Sequence, residues 1–173
     1  MDDRTREELI AILPRLRRFA WGLTGNRDDA DDLVQACCER AISRIHQWQT
    51  GTRLDSWMFR IMQTMRIDEI RSQATRAQLL ETGHAELEED YEATHDAEFH
   101  FTVDAVQDAL ALLPEEQRMV VLLIAVEGYS YKEAAQIMQV PMGTITSRLT
   151  RARVALNQTL GAAPAPRARA VPI

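Results

Sequence analysis

Apolar residues recur along the first part of the chain at the three- and four-residue spacing of amphipathic helices. Leu9, Leu13, Leu16, Ala20 and Leu23, joined by Ile12 and Phe19, share one face of a first helix, which stops at the turn-forming Thr24-Gly25-Asn26. A second helix is predicted from Ala30 to Ile45. Ala30, Leu33, Val34, Cys37, Ala41 and Ile45 fall on one side, and acids gather in its first turn, where the helix dipole favours them. Cys37 and Cys38 read as packing residues. After the loop composition Gln49-Thr50-Gly51-Thr52, a third helix starts near Asp55 or Ser56, either of which can cap it, and runs to about Arg76. Its buried stripe is Trp57, Met58, Ile61, Met62 and Met65.

The pattern fades between 77 and 102 and resumes beyond Val103. Val106, Leu110 and Leu113 lead to Pro114, and a further helix carries Val120, Leu123 and Ile124 as far as Gly128. Ser130-Tyr131-Lys132-Glu133 has the form of a capping box and opens a short helix containing Ala134, Ala135, Ile137 and Met138. Gln139-Val140-Pro141 makes a turn, and a last helix from Met142 keeps Ile145, Leu149 and Ala152 on one side. Two helices about a tight turn form a helix-turn-helix unit. The predicted fold is therefore all-α. Two small helical domains, 1–76 and 103–160, are joined by an acidic flexible linker, 77–102, and followed by a disordered tail, 161–173, rich in Ala and Pro.

The overall net charge of -6 hides three unlike segments. Residues 1–76 carry 13 Arg against 12 acids, residues 77–117 carry 12 acids and no Lys or Arg, and residues 118–173 carry seven basic residues against two acids. A basic C-terminal domain can face phosphate, and the acidic stretch repels itself as a linker does. The longest apolar run, Met119 to Val126, is far too short to cross a membrane, and the chain begins with Asp2 and Asp3 rather than a basic, apolar leader. No membrane insertion and a cytoplasmic location are expected. The adjacent Cys37 and Cys38 offer no disulfide framework. His84, His95 and His100 show no metal-ligand spacing with them and no neighbouring nucleophile arrangement, so neither a metal site nor a catalytic histidine is expected.

The helix faces carry the remaining chemistry. Taking Ile145 as zero at about 100° per residue, Thr146, Thr150 and Ser147 lie at about 100° to 200° and Arg151 at about 240°. This exposed side holds hydroxyls and guanidinium without a carboxylate, which suits the major groove of DNA. Arg60, Gln63, Thr64, Ile67 and Arg71 line a mixed face of the third helix that can touch nucleic acid. Trp57 reads either as core or as a platform for stacking an unpaired base. Asp28, Asp32, Gln35 and Glu39, opposite the buried stripe of the second helix, read either as a solvated face or as a docking surface for a basic partner.

In order, these motifs resemble a bacterial RNA polymerase sigma factor of the extracytoplasmic-function (ECF) type over nearly all of residues 8–160. Asp28 to Gln35 looks like that family's core-polymerase-binding helix, and Ser56-Trp57-Met58-Phe59-Arg60-Ile61 through Asp68-Glu69-Ile70-Arg71 like its promoter-melting segment. Leu113 to Arg118, Tyr129 to Ile137, and Gly143 to Arg153 look like its fourth region. The resemblance implies that Asp28, Asp31, Asp32, Leu33, Gln35 and Glu39 grip the core polymerase. It implies that Trp57, Arg60, Gln63, Thr64, Ile67 and Arg71 hold the minus-10 element of promoter DNA. Thr144, Thr146, Ser147, Arg148, Thr150 and Arg151 would read the minus-35 duplex. The resemblance implies no cofactor and no catalytic residue, so the chain is not expected to be an enzyme. The acidic linker would thread toward the polymerase channels, and an anti-sigma factor would hold the protein inactive. Gly51-Thr52-Arg53 before Ser56-Trp57, with Tyr129 to Ala135, is similar to alphaproteobacterial general-stress members. Thr64, Gln63 and Thr146 replace residues more common at those positions in the family, so its base preferences do not transfer. Two other readings stand beside this one: a sigma-mimicking protein that sequesters an anti-sigma factor, and a plain helix-turn-helix regulator.

Overall fold

A left-handed glycine separates the first two helices. The computed structural model describes residues 2–49, 51–80 and 97–161. In it α1 spans Asp3–Thr24 and ends on Gly25 at φ 73°, whose N–H donates to the Trp21 carbonyl. Any other residue type would strain this cap. Asn26 then caps α2, Arg27–Ser43, its side chain accepting from the Asp28 and Asp29 N–H groups. A turn of 3-10 helix at Ile45–Gln47 leads toward α3, Leu54–Leu80. The second half comprises α4, Ala97–Ala111, then α5, Glu115–Val121, which widens into a π-turn over Leu122–Val126. It ends with α6, Tyr131–Met138, and α7, Met142–Gly161. The described residues are all-α, without a strand.

The capping box expected at Ser130 forms in full: the Ser130 side chain accepts from the Glu133 N–H while the Glu133 side chain accepts from the Ser130 N–H. Several boundaries differ from the sequence expectation. α2 ends at Ser43 rather than Ile45, α3 begins at Leu54, and helix enters both ends of the expected linker, as far as Leu80 and from Ala97. Ala77-Gln78-Leu79-Leu80 are strong helix formers, and the first breaker is Gly83, so nothing in the sequence ends α3 at Arg76. The acidic stretch 81–96, with His84 and His95, and the tail beyond 161 lie outside the described residues.

α1 packs along α2 and α2 along α3, leaving Leu16, Phe19, Leu23, Cys37, Met58 and Met62 at 1% exposure or less. Met119, Leu123, Ile137, Ile145 and Ala152 do the same for α5, α6 and α7. The two halves share one core. α3 meets α6, and α1 meets α4, α5 and the π-turn, so α3 is buried on two faces rather than one. Phe59, absent from the expected stripe, is fully buried for this reason: its ring lies 4.8 Å from Phe19 and 5.7 Å from Tyr129 of the second half.

Gly22 lets the halves approach. A Cβ at this position would stand 2.5 Å from Leu122 Cδ2. Replacing Gly22 with Leu should therefore lower stability by about 1–3 kcal/mol through overpacking, measured as a shift in the denaturant midpoint. Phe19→Ala, which empties the junction of α1 and α3, should cost about 3–5 kcal/mol in the same assay.

Candidate nucleic-acid interface

Three surfaces gather most of the polar residues singled out in the sequence. On α7, Thr146, Ser147, Thr150 and Arg151 are exposed, Thr144 is half-buried, and Ile145, Leu149 and Ala152 anchor the opposite side in the core. Arg148 differs from the others. Its side chain is 16% exposed and pairs with Glu116 of α5, so its guanidinium braces α7 inside its own domain rather than standing free for phosphate. Glu116 sits at the start of α5, where the helix dipole also favours it.

On α3, Trp57, Arg60, Ile61 and Thr64 line a groove of about 210 Å³ together with Arg40, Arg44, Gln47 and Gln139. Three guanidinium groups and an indole face it, with no carboxylate, the chemistry needed to hold an unpaired base against its phosphates. Gln139, at φ 53° in the turn after α6, belongs to the second half and closes one side. Arg60 donates from Nη2 to the Gln136 carbonyl at 3.0 Å, and its buried Nε has no partner among the described residues. Gln63 does not join this groove: it is 7% exposed and points into the packed interior, one turn beyond Phe59. Ile67 and Arg71 lie farther along α3, half-buried and exposed respectively.

On α2, Asp28, Asp31, Asp32, Gln35 and Glu39 are exposed, whereas Leu33 is a core residue at 9% exposure whose remaining surface borders a hollow against α3. Asp31 pairs with Arg17 at 3.3 Å, and Gln35 donates to Glu39 at 3.0 Å. Asp32 borders a hollow of about 530 Å³ between α2 and α3, lined also by Asp29, Met65, Arg66, Glu69 and Gln73.

The seam between the halves holds a polar network that sequence reading did not find. The Glu127 side chain is 0% exposed and accepts from Arg15 at 2.8 Å and from Arg18 at 2.8 Å. Arg15 also reaches Asp55 at 2.8 Å, and Arg53 joins Asp55 at 2.8 Å to Glu133 at 2.5 Å. The Tyr129 ring lies beneath both, 5.8 Å from the Arg15 guanidinium and 4.8 Å from that of Arg53. Burial pushes the Tyr129 phenol up to about 12. Burial also works to raise Asp55, but hydrogen bonds from Arg53 and Arg15 outweigh it and hold this carboxyl well below the usual carboxylate range. No periodicity links residues more than a hundred positions apart, so Arg15 and Glu127 carried no sequence signal.

Residues 104–156 match the family described as Sigma-70, region 4, and residues 9–63 match the Sigma2 domain of PhyR. The ECF RNA polymerase sigma factor EcfG of Rhodopseudomonas palustris is 34% identical over 160 residues, covering 92% of this chain and 87% of that one. The chain belongs to the ECF family of RNA polymerase sigma factors. The sigma factor RpoE of Bartonella quintana, solved with the anti-sigma factor NepR, superposes with a TM-score of 0.78 at 30% identity, over 94% of this chain and 99% of that one. The anti-anti-sigma factor PhyR of the same organism, also solved with NepR, shares the fold at 20% identity and a TM-score of 0.62, over 90% of this chain and 50% of that one. In this sigma factor, α1 to α3 are therefore region 2 and α4 to α7 region 4. The likeness to alphaproteobacterial stress members accords with these relatives. Among the described residues no helix is long and apolar enough to cross a membrane.

Two substitutions test the seam. The Asp55 carboxyl, depressed on folding, adds stability that is full above its unfolded pKa of about 4 and is lost as pH falls below that value. Asp55→Asn should cost about 2–3 kcal/mol at pH 7, and its deficit should shrink progressively as pH falls below about 4, as urea denaturation across pH will report. Glu127→Gln should loosen region 4 from region 2 while both keep their helices, seen as a larger radius of gyration with unchanged circular dichroism.

Proposed function

We propose that this sigma factor directs core RNA polymerase to specific promoters, with region 2 binding polymerase and the opened minus-10 strand and region 4 reading the minus-35 duplex. The observation that carries the reading is the separation of two carboxylate-free faces, one a groove with an indole and one an open helix, on a chain whose family recruits polymerase. A duplex needs a convex helix, and an unpaired base needs a concavity with a flat wall. The exposed acids Asp28, Asp31 and Asp32 of α2, with Gln35 and Glu39, are the polymerase-facing set. Their charge suits a basic partner surface.

The polymerase supplies the chemistry of phosphodiester synthesis, and the sigma factor contributes no catalytic residue or cofactor. It works in the cytoplasm, where polymerase is. α6 has to leave α3 before the groove around Trp57 and Arg60 can take a base, because Arg60 is tied to Gln136 and Gln139 stands at the rim. An anti-sigma factor is the partner that keeps this from happening. The likeness to a sigma factor held by NepR supports that control, since the superposition extends over both regions.

A second reading has its own support. The match of residues 9–63 to the Sigma2 domain of PhyR fits a protein that occupies an anti-sigma factor without directing transcription. Run-off transcription separates the two. Core polymerase supplemented with this protein should give transcripts from a discrete set of genomic promoters; core binding without transcripts would favour the mimic, and no core binding would favour a plain helix-turn-helix regulator. Replacing Asp32 and Gln35 together with Ala should weaken polymerase binding by about tenfold, and equal weakening of duplex binding by the free protein would contradict the assignment of α2.

A further inference from the structure

The hydroxyls on the exposed face of α7 share one hydrogen-bond direction. The Thr146 hydroxyl donates to the Met142 carbonyl at 3.1 Å, the Ser147 hydroxyl to the Thr144 carbonyl at 3.0 Å, and the Thr150 hydroxyl to the Thr146 carbonyl at 2.9 Å. Each hydroxyl has one proton, and in each case the helix's own backbone takes it. What these side chains turn outward is lone pairs and, for the two threonines, methyl groups. An oxygen that donates is polarised into a better acceptor. Arg148, which flanks the hydroxyls, is held by Glu116, so the exposed donors left on this half of α7 are those of Arg151 and Arg153.

Major-groove edges divide by the same criterion. Guanine offers N7 and O6, both acceptors, and can be read only by a donor. Adenine N6 and cytosine N4 are amino donors, and thymine presents a methyl group. A face of hydroxyl acceptors and methyls fits the adenine and cytosine amines and the thymine methyl, while adenine N7 and thymine O4, like both guanine atoms, are acceptors for which each hydroxyl would have to surrender its backbone bond to donate.

We infer that Thr146, Ser147 and Thr150 select exocyclic amines, so that the upstream promoter element is read at those positions as adenine or cytosine on the contacted strand, with guanine read only where Arg151 reaches. Thr146 and Thr150, one turn apart, address neighbouring base pairs, and Ser147 lies beside Arg151 at the edge where an acceptor-reading and an amine-reading contact meet. This rests on the assignment of α7 to the minus-35 duplex and specifies the chemistry that it recognises there.

The test uses the full chain assembled with core polymerase. Duplexes randomised over the upstream element and fused to a fixed downstream segment are selected for binding. In the selected site each adenine is then replaced by purine, which lacks the N6 amine, each cytosine by pyrimidin-2-one, which lacks the N4 amine, and each guanine by 7-deazaguanine. Loss of one amine opposite Thr146 or Thr150 should weaken binding about five- to tenfold, the worth of a single good hydrogen bond. Thr146→Val and Thr150→Val keep the methyl and remove the acceptor; each should lose the same factor on natural DNA and nothing further on the duplex lacking its amine. Sensitivity confined to 7-deazaguanine, or valine variants that bind natural and amine-free duplexes alike, would overturn the inference and leave region 4 as a minus-35 reader by another contact set. Absence of any selected sequence would remove the minus-35 assignment itself, and the inference with it.

Discussion

A carboxylate sealed from water needs its compensation fixed in place, and in this protein that requirement joins the two regions. The side chain of Glu127 has no exposed surface, and its two partners, Arg15 and Arg18, belong to α1. Neither region could bury Glu127 alone, because desolvating a carboxylate without its cations costs several kcal/mol on general grounds. Around it the seam is built in layers. Arg15 turns to Asp55, Arg53 passes from Asp55 to Glu133, and the Phe59 and Tyr129 rings lie beneath the guanidinium groups. The π-turn at Leu122–Val126 serves the same end. By accepting the Glu127 N–H at the Leu122 carbonyl it adds a residue to the turn and carries the Glu127 side chain toward α1.

That arrangement has a consequence for function, since the contacts that bring α6 onto α3 also narrow the groove that α3 would offer to DNA. Arg60 and Gln139 are shared between the seam and the groove, so a base held there as proposed would draw on the same side chains as domain packing. The hydroxyl face of α7 points elsewhere and is unaffected. On the proposed reading, a partner that stabilises the packed form would act on strand capture directly and leave the hydroxyl face of α7 open.

What the sequence made legible follows from the range of each interaction. Helices, caps and the helix-turn-helix are set by neighbours within four residues, and Gly25, Asn26 and Ser130 announced them. The core stripe of α3 was incomplete because a helix buried on two sides loses its single periodic face: Phe59 and Gln63 lie on the second face, against region 4, and look like misplaced residues until that domain is present. Leu33 and Arg148 illustrate the converse. Both lie within motifs whose family role is contact with a partner, yet one fills the core and the other is held by Glu116, distinctions that spacing cannot make. The seam was invisible since a salt bridge between positions 15 and 127 leaves no local trace.

The same pairing explains how a chain of net charge -6 can present surfaces to a polyanion. From Glu115 to Glu133 every carboxylate is matched to an arginine: Glu115 to Arg66, Glu116 to Arg148, Glu127 to Arg15 and Arg18, Glu133 to Arg53. The four arginines in those pairs other than Arg148 all come from region 2 and include none of the groove cations. Arg40, Arg44, Arg151 and Arg153 form no ion pair among the described residues, and they border the groove or the open side of α7. At an ionic strength where charges beyond about 8 Å are screened, a phosphate responds to this local ledger rather than to the sum. Acids that would repel DNA are neutralised in the seam, and the cations that would attract it are left at the edges. The packing that makes one body of two regions thereby also sorts their charge.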